Sequence, residues 1–78
     1  MKYDYDCVVI GAGIAGMTSA IFLKRYNLNV LLLDKGEPGG LLNKISVIEN
    51  YPGFTNIKGV DLAQQIYEQV KENKIEFK

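Results

Sequence analysis

The stretch Cys7-Val8-Val9-Ile10-Gly11-Ala12-Gly13-Ile14-Ala15-Gly16, a helical pattern through Tyr26, and then Val30-Leu31-Leu32-Leu33-Asp34 decide how the chain is read. An apolar strand-like run ends in Gly-x-Gly-x-x-Gly, a helix follows, and a second apolar run ends at an acid. That order is the sequence form of a βαβ unit with a phosphate-binding turn. Each part has its own task. Gly11 permits the tight turn off the strand, Gly13 lets the backbone come close to a pyrophosphate, and Gly16 lets the helix pack closely on the strand. The free N–H groups and positive dipole end of the helix then face the phosphates. Asp34 stands at the tip of the second strand, eighteen residues after Gly16, where it is expected to accept hydrogen bonds from a ribose 2′-OH. A carboxylate repels a 2′-phosphate, so the pattern suits FAD or NAD rather than NADP and does not separate the first two.

Composition narrows the remaining classes. The 78 residues carry nine basic and nine acidic side chains and are 47% hydrophobic, which describes one globular unit rather than a disordered one. Balanced and scattered charge gives no electrostatic case for nucleic acid or a membrane surface. No apolar stretch reaches the ~18–20 residues that span a bilayer. Asp4 and Asp6 precede the first apolar run where a signal peptide would be positive, so a cytoplasmic location is expected. The one cysteine, Cys7, reads as a small buried hydrophobe. With no histidine, no Cys-x-x-Cys and no metal-ligand spacing, neither a hydrolytic triad nor a metal site can be assembled, and no catalytic residue is nominated.

The periodicity predicts a strand over 5–10, a helix over 14–26, a strand over 29–33, an irregular segment over 34–58, a helix over 60–73 and a strand from Ile75. The first helix is apolar almost all round (Ile14, Met17, Ala20, Ile21, Phe22, Leu23), which calls for cover on more than one side. The second places Leu62, Ala63, Ile66, Tyr67 and Val70 on one stripe, has Asp61 in its first turn, and has a stop at Asn73 or Lys74. The fold class is α/β: a Rossmann-like βαβ unit with a parallel sheet and helices on both faces. Right-handed crossovers order the strands 3-2-1, which puts the phosphate-binding strand at an edge. Such a sheet is incomplete.

Two further blocks stand out: Gly36-Glu37-Pro38-Gly39-Gly40-Leu41-Leu42 and Ile48-Glu49-Asn50-Tyr51-Pro52-Gly53-Phe54. By themselves they suit a surface loop and a ligand clamp equally well. Gly39-Gly40 would let backbone approach a flat or anionic ligand, and Asn50 offers donors and an acceptor for polyol oxygens.

With these blocks the chain resembles, over essentially its whole length, the N-terminal FAD-binding part of bacterial thioredoxin reductases. These are flavoproteins with two dinucleotide domains, of the pyridine nucleotide-disulfide oxidoreductase kind. The resemblance rests on Val9 to Gly16, the Asp34 tip, Gly39-Gly40, and Ile48-Glu49-Asn50-Tyr51-Pro52-Gly53. It implies FAD, with the pyrophosphate on Gly13, Ile14, Ala15 and Gly16 and the adenosine ribose on Asp34 and Lys35. The ribityl–isoalloxazine part would lie near Gly40, Leu41, Leu42 and Asn50. Two positions depart from the family: Leu41 stands where Gln is usual, and Ile14 where Pro is usual at the start of the helix.

The resemblance further implies an NADPH-binding domain with a Cys-x-x-Cys and a C-terminal return that completes the FAD site, both absent from residues 1–78. It also implies a thioredoxin-like disulfide partner and a homodimer when complete. The function expected is therefore that of the FAD-binding segment of an oxidoreductase carrying electrons from NADPH through FAD to a protein disulfide. On this reading the 78 residues alone are inactive as a disulfide reductase. The alternatives are the FAD segment of a ferredoxin- or flavodoxin-coupled NADP reductase-like relative, kept open by Leu41, and an inactive truncated product.

Overall fold

The computed structural model describes residues 4–78. The elements follow in the order β1 (Cys7–Ile10), α1 (Ile14–Arg25), β2 (Val30–Leu33), α2 (Gly59–Glu72) and β3 (Glu76–Phe77), with a 3-10 turn over Gly40–Lys44 between β2 and α2. All three strands are parallel and ordered β1-β2-β3, as the handedness of the crossovers requires. The Rossmann-like parallel sheet is therefore present, with β1 at an edge.

Strand pairing fixes which residues share a face. Cys7 pairs with Val30, Val9 with Leu32, and Leu32 with Phe77. The Val9 side chain lies beside Gly16 of α1, and the Phe77 ring meets Tyr67 of α2 edge-on with centroids 5.7 Å apart. Both helices therefore cover the same face. This corrects the expectation of helices on both faces. Two successive right-handed crossovers that step in the same direction must lay both helices on one side. On the opposite face Ile10 is 84% exposed and Val8 is 51% exposed.

The core fills the space between that covered face and the helices. Met17, Leu32, Leu62 and Val70 are its largest fully buried side chains, joined by Ala20, Val30, Ala63, Ile66 and Ile75. Burying each large aliphatic chain contributes about 1.5–3 kcal/mol. The stripe read from α2 is thus the buried stripe, with Tyr67 half-buried at its border. The all-round apolar α1 buries only Met17 and Ala20 fully, and Phe22 stays 60% exposed. Ile14, Ile21 and Leu23 are half-buried against the same core, which α1 meets on its sheet side and on its α2 side, so only the Phe22 side lies open among the described residues.

Element ends follow local chemistry. Residues 5 and 6 leave the ladder because the Asp6 carboxylate accepts the Asn29 N–H at 2.8 Å, while the Asp6 and Cys7 N–H groups both donate to the Asn29 carbonyl. α2 stops at Asn73, whose side-chain amide donates to the Gln69 carbonyl at 2.8 Å, and Lys74 then turns left-handed with φ 58°. The segment expected to be irregular holds two small ordered features, the 3-10 turn and an antiparallel bridge between Ile48 and Ile57. Among the described residues no helix is long and apolar enough to cross a membrane.

Candidate functional site

The glycine turn is built by backbone bonds from β2 and the loop after it. Gly11 N–H donates to the Leu33 carbonyl at 2.7 Å, and Gly11 takes a positive φ of 103° that lifts the chain off β1. Ala12, fully buried, is held from both sides: its N–H donates to Asp34 Oδ2 at 2.7 Å, and its carbonyl accepts the Gly39 N–H at 2.7 Å. Gly13 is the N-cap of α1 with φ −74°, a conformation open to any residue, and no atom lies within 4 Å of where its Cβ would stand. Its glycine therefore keeps space clear. Gly16 is the opposite case, since a Cβ there would overlap the Gly11 carbonyl.

The start of α1 carries neither a capping side chain nor an acid in its first turn. Its leading N–H groups face the open space at Gly13, an arrangement suited to an anion. Asp34 completes the rim. Its Oδ1 accepts the Gly36 N–H at 3.0 Å. The N–H of Ala12 and then that of Gly36 hold the carboxyl below its ordinary value of 3.8, so it is ionised at neutral pH. Each of its oxygens can accept a further hydrogen bond.

Three neighbouring concavities run along this rim. One of about 440 Å³ lies between Ile10, Gly11, Leu33, Asp34, Lys35 and Lys78. The next, about 480 Å³, shares Asp34 and adds Gly36, Glu37, Gly40, Leu41, Asn43 and Lys44. The third, about 350 Å³, shares Leu41 and is closed by Gly13, Ile14, Ala15, Gly39, Leu42 and Ile45. Their volumes fall within the range of small-molecule sites.

Most residues nominated from the sequence thus come together: Gly11, Gly13, Ile14, Ala15, Asp34, Lys35, Gly39, Gly40, Leu41 and Leu42 all line this path. Gly16 sits behind the turn, against Gly11. Leu42 is 8% exposed and belongs mainly to the core, whereas Leu41 is 76% exposed. Gly39 and Gly40 divide the role expected of them jointly. Gly39 is buried, with its Cβ position 2.5 Å from Ala63, while a Cβ on Gly40 would stand 3.5 Å from the Gly13 backbone. Asn50 is exposed beyond the Ile48–Ile57 bridge and lines none of the three concavities. The residue that sequence reasoning missed is Ala12. Its signal is its place between two glycines, where a small side chain faces inward and the backbone has no helix or strand partner.

A parallel sheet that presents a glycine turn and an uncapped helix start at its strand ends defines a dinucleotide-binding α/β domain. The chain matches the family described as the NAD(P)-binding Rossmann-like domain over residues 9–74 and belongs to it. Within that class it is similar to thioredoxin reductases, as its motifs implied. The Bacillus subtilis thioredoxin reductase is 42% identical across 94% of this chain and 23% of its own length. The Mycoplasma genitalium thioredoxin reductase is 48% identical across 81% of this chain and 20% of its own. The crystal structure of Lactococcus lactis thioredoxin reductase superposes with a TM-score of 0.93 at 41% identity, covering 96% of this chain and 25% of that one. The chain thus spans about a quarter of the length of the proteins it resembles.

Proposed function

We propose that these residues form the first part of the FAD-binding domain of a thioredoxin-reductase-like oxidoreductase. The observation that carries this reading is the continuous rim from Ile10 and Leu33, past Asp34, to Gly13 and Leu41. A dinucleotide is long, with a diphosphate at its middle, and here the uncapped start of α1 lies along an extended path. The open space at Gly13 fits a diphosphate in contact with backbone N–H groups. Gly13, Ile14, Ala15 and Gly16 would hold it. Asp34 and Lys35 would take the adenosine ribose, and Gly40, Leu41, Leu42 and Asn50 would lie toward the flavin. FAD is favoured over NAD by the similarity to thioredoxin reductases and by the Gly39-Gly40 loop laid against the phosphate turn.

The bound flavin would supply the electron chemistry, taking electrons from NADPH and passing them to the disulfide of a thioredoxin-like protein. The chain's own residues bind and orient. Among the described residues none is placed as a nucleophile or proton donor, and the second dinucleotide site, the redox cysteines and a homodimeric assembly belong to the larger protein of this proposal. Titrating the protein with FAD, with flavin fluorescence as the readout, tests it. Saturable quenching at one FAD per chain, with no competition from NAD at equal concentration, is the expected outcome. Binding of NAD with no response to FAD would overturn the flavin assignment.

A further inference from the structure

We infer that Asp34 is a positioning residue for the phosphate turn, fixing Ala12 from behind before any ligand arrives, in addition to the ribose contact proposed for it. The inference rests on the dinucleotide reading above and concerns how that site is held ready. Ala12 lies between the two glycines that give the turn its shape, and both of its backbone groups are bound by residues distant in sequence. Its N–H donates to Asp34 Oδ2 at 2.7 Å, and its carbonyl accepts the Gly39 N–H at 2.7 Å. The Ala12 N–H is therefore directed at a carboxylate of the chain and is not offered to a phosphate. The donors left for a ligand begin beyond it, at Gly13 and the first turn of α1.

The second oxygen of Asp34 is also engaged, by the Gly36 N–H at 3.0 Å. One carboxylate thus joins the β1–α1 turn to the loop that leaves β2. These are charge-assisted bonds, stronger than neutral ones. Glycine-flanked backbone has the most conformational freedom to lose on ordering. A turn already held in place spares the ligand that cost, and a turn released from its clamp adds it back. Loss of the clamp should weaken diphosphate binding about tenfold, equivalent to freezing roughly one residue. A residue that served only the ribose would produce no such loss for a ligand without ribose hydroxyls.

The experiment uses ADP and 2′,3′-dideoxy-ADP, which keeps the diphosphate and lacks both hydroxyls, against the wild-type protein, Asp34→Ala and Asp34→Asn. Binding is followed by the amide shifts of Gly13 and Ala15, and hydrogen exchange at Ala12 is measured without ligand. The expected result is dideoxy-ADP binding weakened about tenfold in the variants and ADP binding weakened further by the lost ribose contact, with Ala12 exchange accelerated and Met17 and Leu32 unchanged. Asp34→Asn keeps the side-chain volume should the alanine variant fail to fold. Its single acceptor oxygen serves only one of the two N–H groups and carries no charge, so Ala12 either loses its partner or keeps a weaker bond, and its protection falls in both cases. Dideoxy-ADP binding wild type and variants equally, with ADP alone weakened, would reduce Asp34 to a ribose contact and overturn the inference. Unchanged Ala12 exchange in both variants would overturn it as well. If the wild type takes neither nucleotide, the dinucleotide reading falls, and the exchange of Ala12 still decides whether the clamp exists.

Discussion

The carbonyl oxygen of Gly11 occupies the position that a Cβ on Gly16 would need. The last glycine of the motif is thus explained by contact between the backbone of α1 and the turn leaving β1. Helix propensity alone would favour alanine at that position by about 1 kcal/mol. The overlap is with backbone, which cannot rotate away, and it decides the sign.

Gly16→Ala should therefore destabilise the protein by about 3 kcal/mol, at the upper end of overpacking costs, as α1 is pushed off the sheet. Gly13→Ala, with open space and an ordinary φ, should change folding stability by less than about 1 kcal/mol while weakening nucleotide binding. Urea unfolding of the two variants side by side checks the contrast. Equal losses would mean that Gly13 is a packing residue too.

Gly39 meets α2 in a comparable way, with its Cβ position 2.5 Å from that of Ala63 and its own φ at 108°. Gly39→Ala should cost roughly 2–4 kcal/mol from strain and contact together. Adding Ala63→Gly relieves the contact and leaves the strain. The double variant should therefore be more stable than the sum of the single losses, by about 1 kcal/mol in a thermodynamic cycle. Strict additivity would place the loop away from α2.

Tyr5, ahead of β1, donates a hydrogen bond to Glu76 Oε1 of β3 at 2.6 Å, with β2 between them. That bond, and then Lys78 at 3.3 Å, hold the Glu76 carboxyl below its ordinary 4.5, and the same bond raises the Tyr5 phenol above 10.0. Stabilisation from Glu76 is present above pH 4.5 and lost as pH falls through its lowered value. Stabilisation from Tyr5 is present below pH 10.0 and lost as pH rises through its raised value. Tyr5→Phe should erase the alkaline loss and shrink the acid one to the part that Lys78 supplies. Melting temperature against pH, wild type minus variant, reads this directly. A flat difference curve would show the bond to be without effect in solution.

The open face of the sheet should tolerate polarity. Ile10→Thr, at a position 84% exposed, should shift stability by no more than about 0.5 kcal/mol. Leu32→Ala, on the covered face and fully buried, should cost about 2–5 kcal/mol. Unfolding curves for both variants, with sedimentation to follow self-association, form the test. A loss at Ile10 as large as that at Leu32 would show that the face is covered in solution.

Strong periodic signals were the legible ones. Val30 to Leu33 and the stripe Leu62, Ala63, Ile66 and Val70 read correctly because continuous burial and helical spacing leave a pattern along the chain. The 3-10 turn and the Ile48–Ile57 bridge were not legible, since they are too short for a period and are fixed by bonds to remote backbone, such as Gly39 to Ala12 and Gly59 to Ile45. Apolar strands predict cover on both faces, but an apolar strand records its own preference and not which side its crossovers take. As geometry, the candidate rim is legible at its glycines and at Asp34, which the fold brings together. The inward-facing Ala12 and the position of Asn50 away from that rim leave no local pattern, because each depends on which distant group lies opposite.

Chain order and spatial order coincide in this sheet: β2 pairs with β1, and β3 then pairs with β2. A ribosome therefore delivers each strand to an edge that has already been made. At about 5–20 residues per second, the β1–α1–β2 unit has roughly a few seconds to close before Glu76 and Phe77 emerge to extend it. Loop-closure entropy grows slowly with length, so the later pairing is scarcely harder than the first. The glycine turn, whose clamp joins β1 to the end of β2, has all of its hydrogen-bond partners synthesised by Gly39, before α2 and β3 emerge.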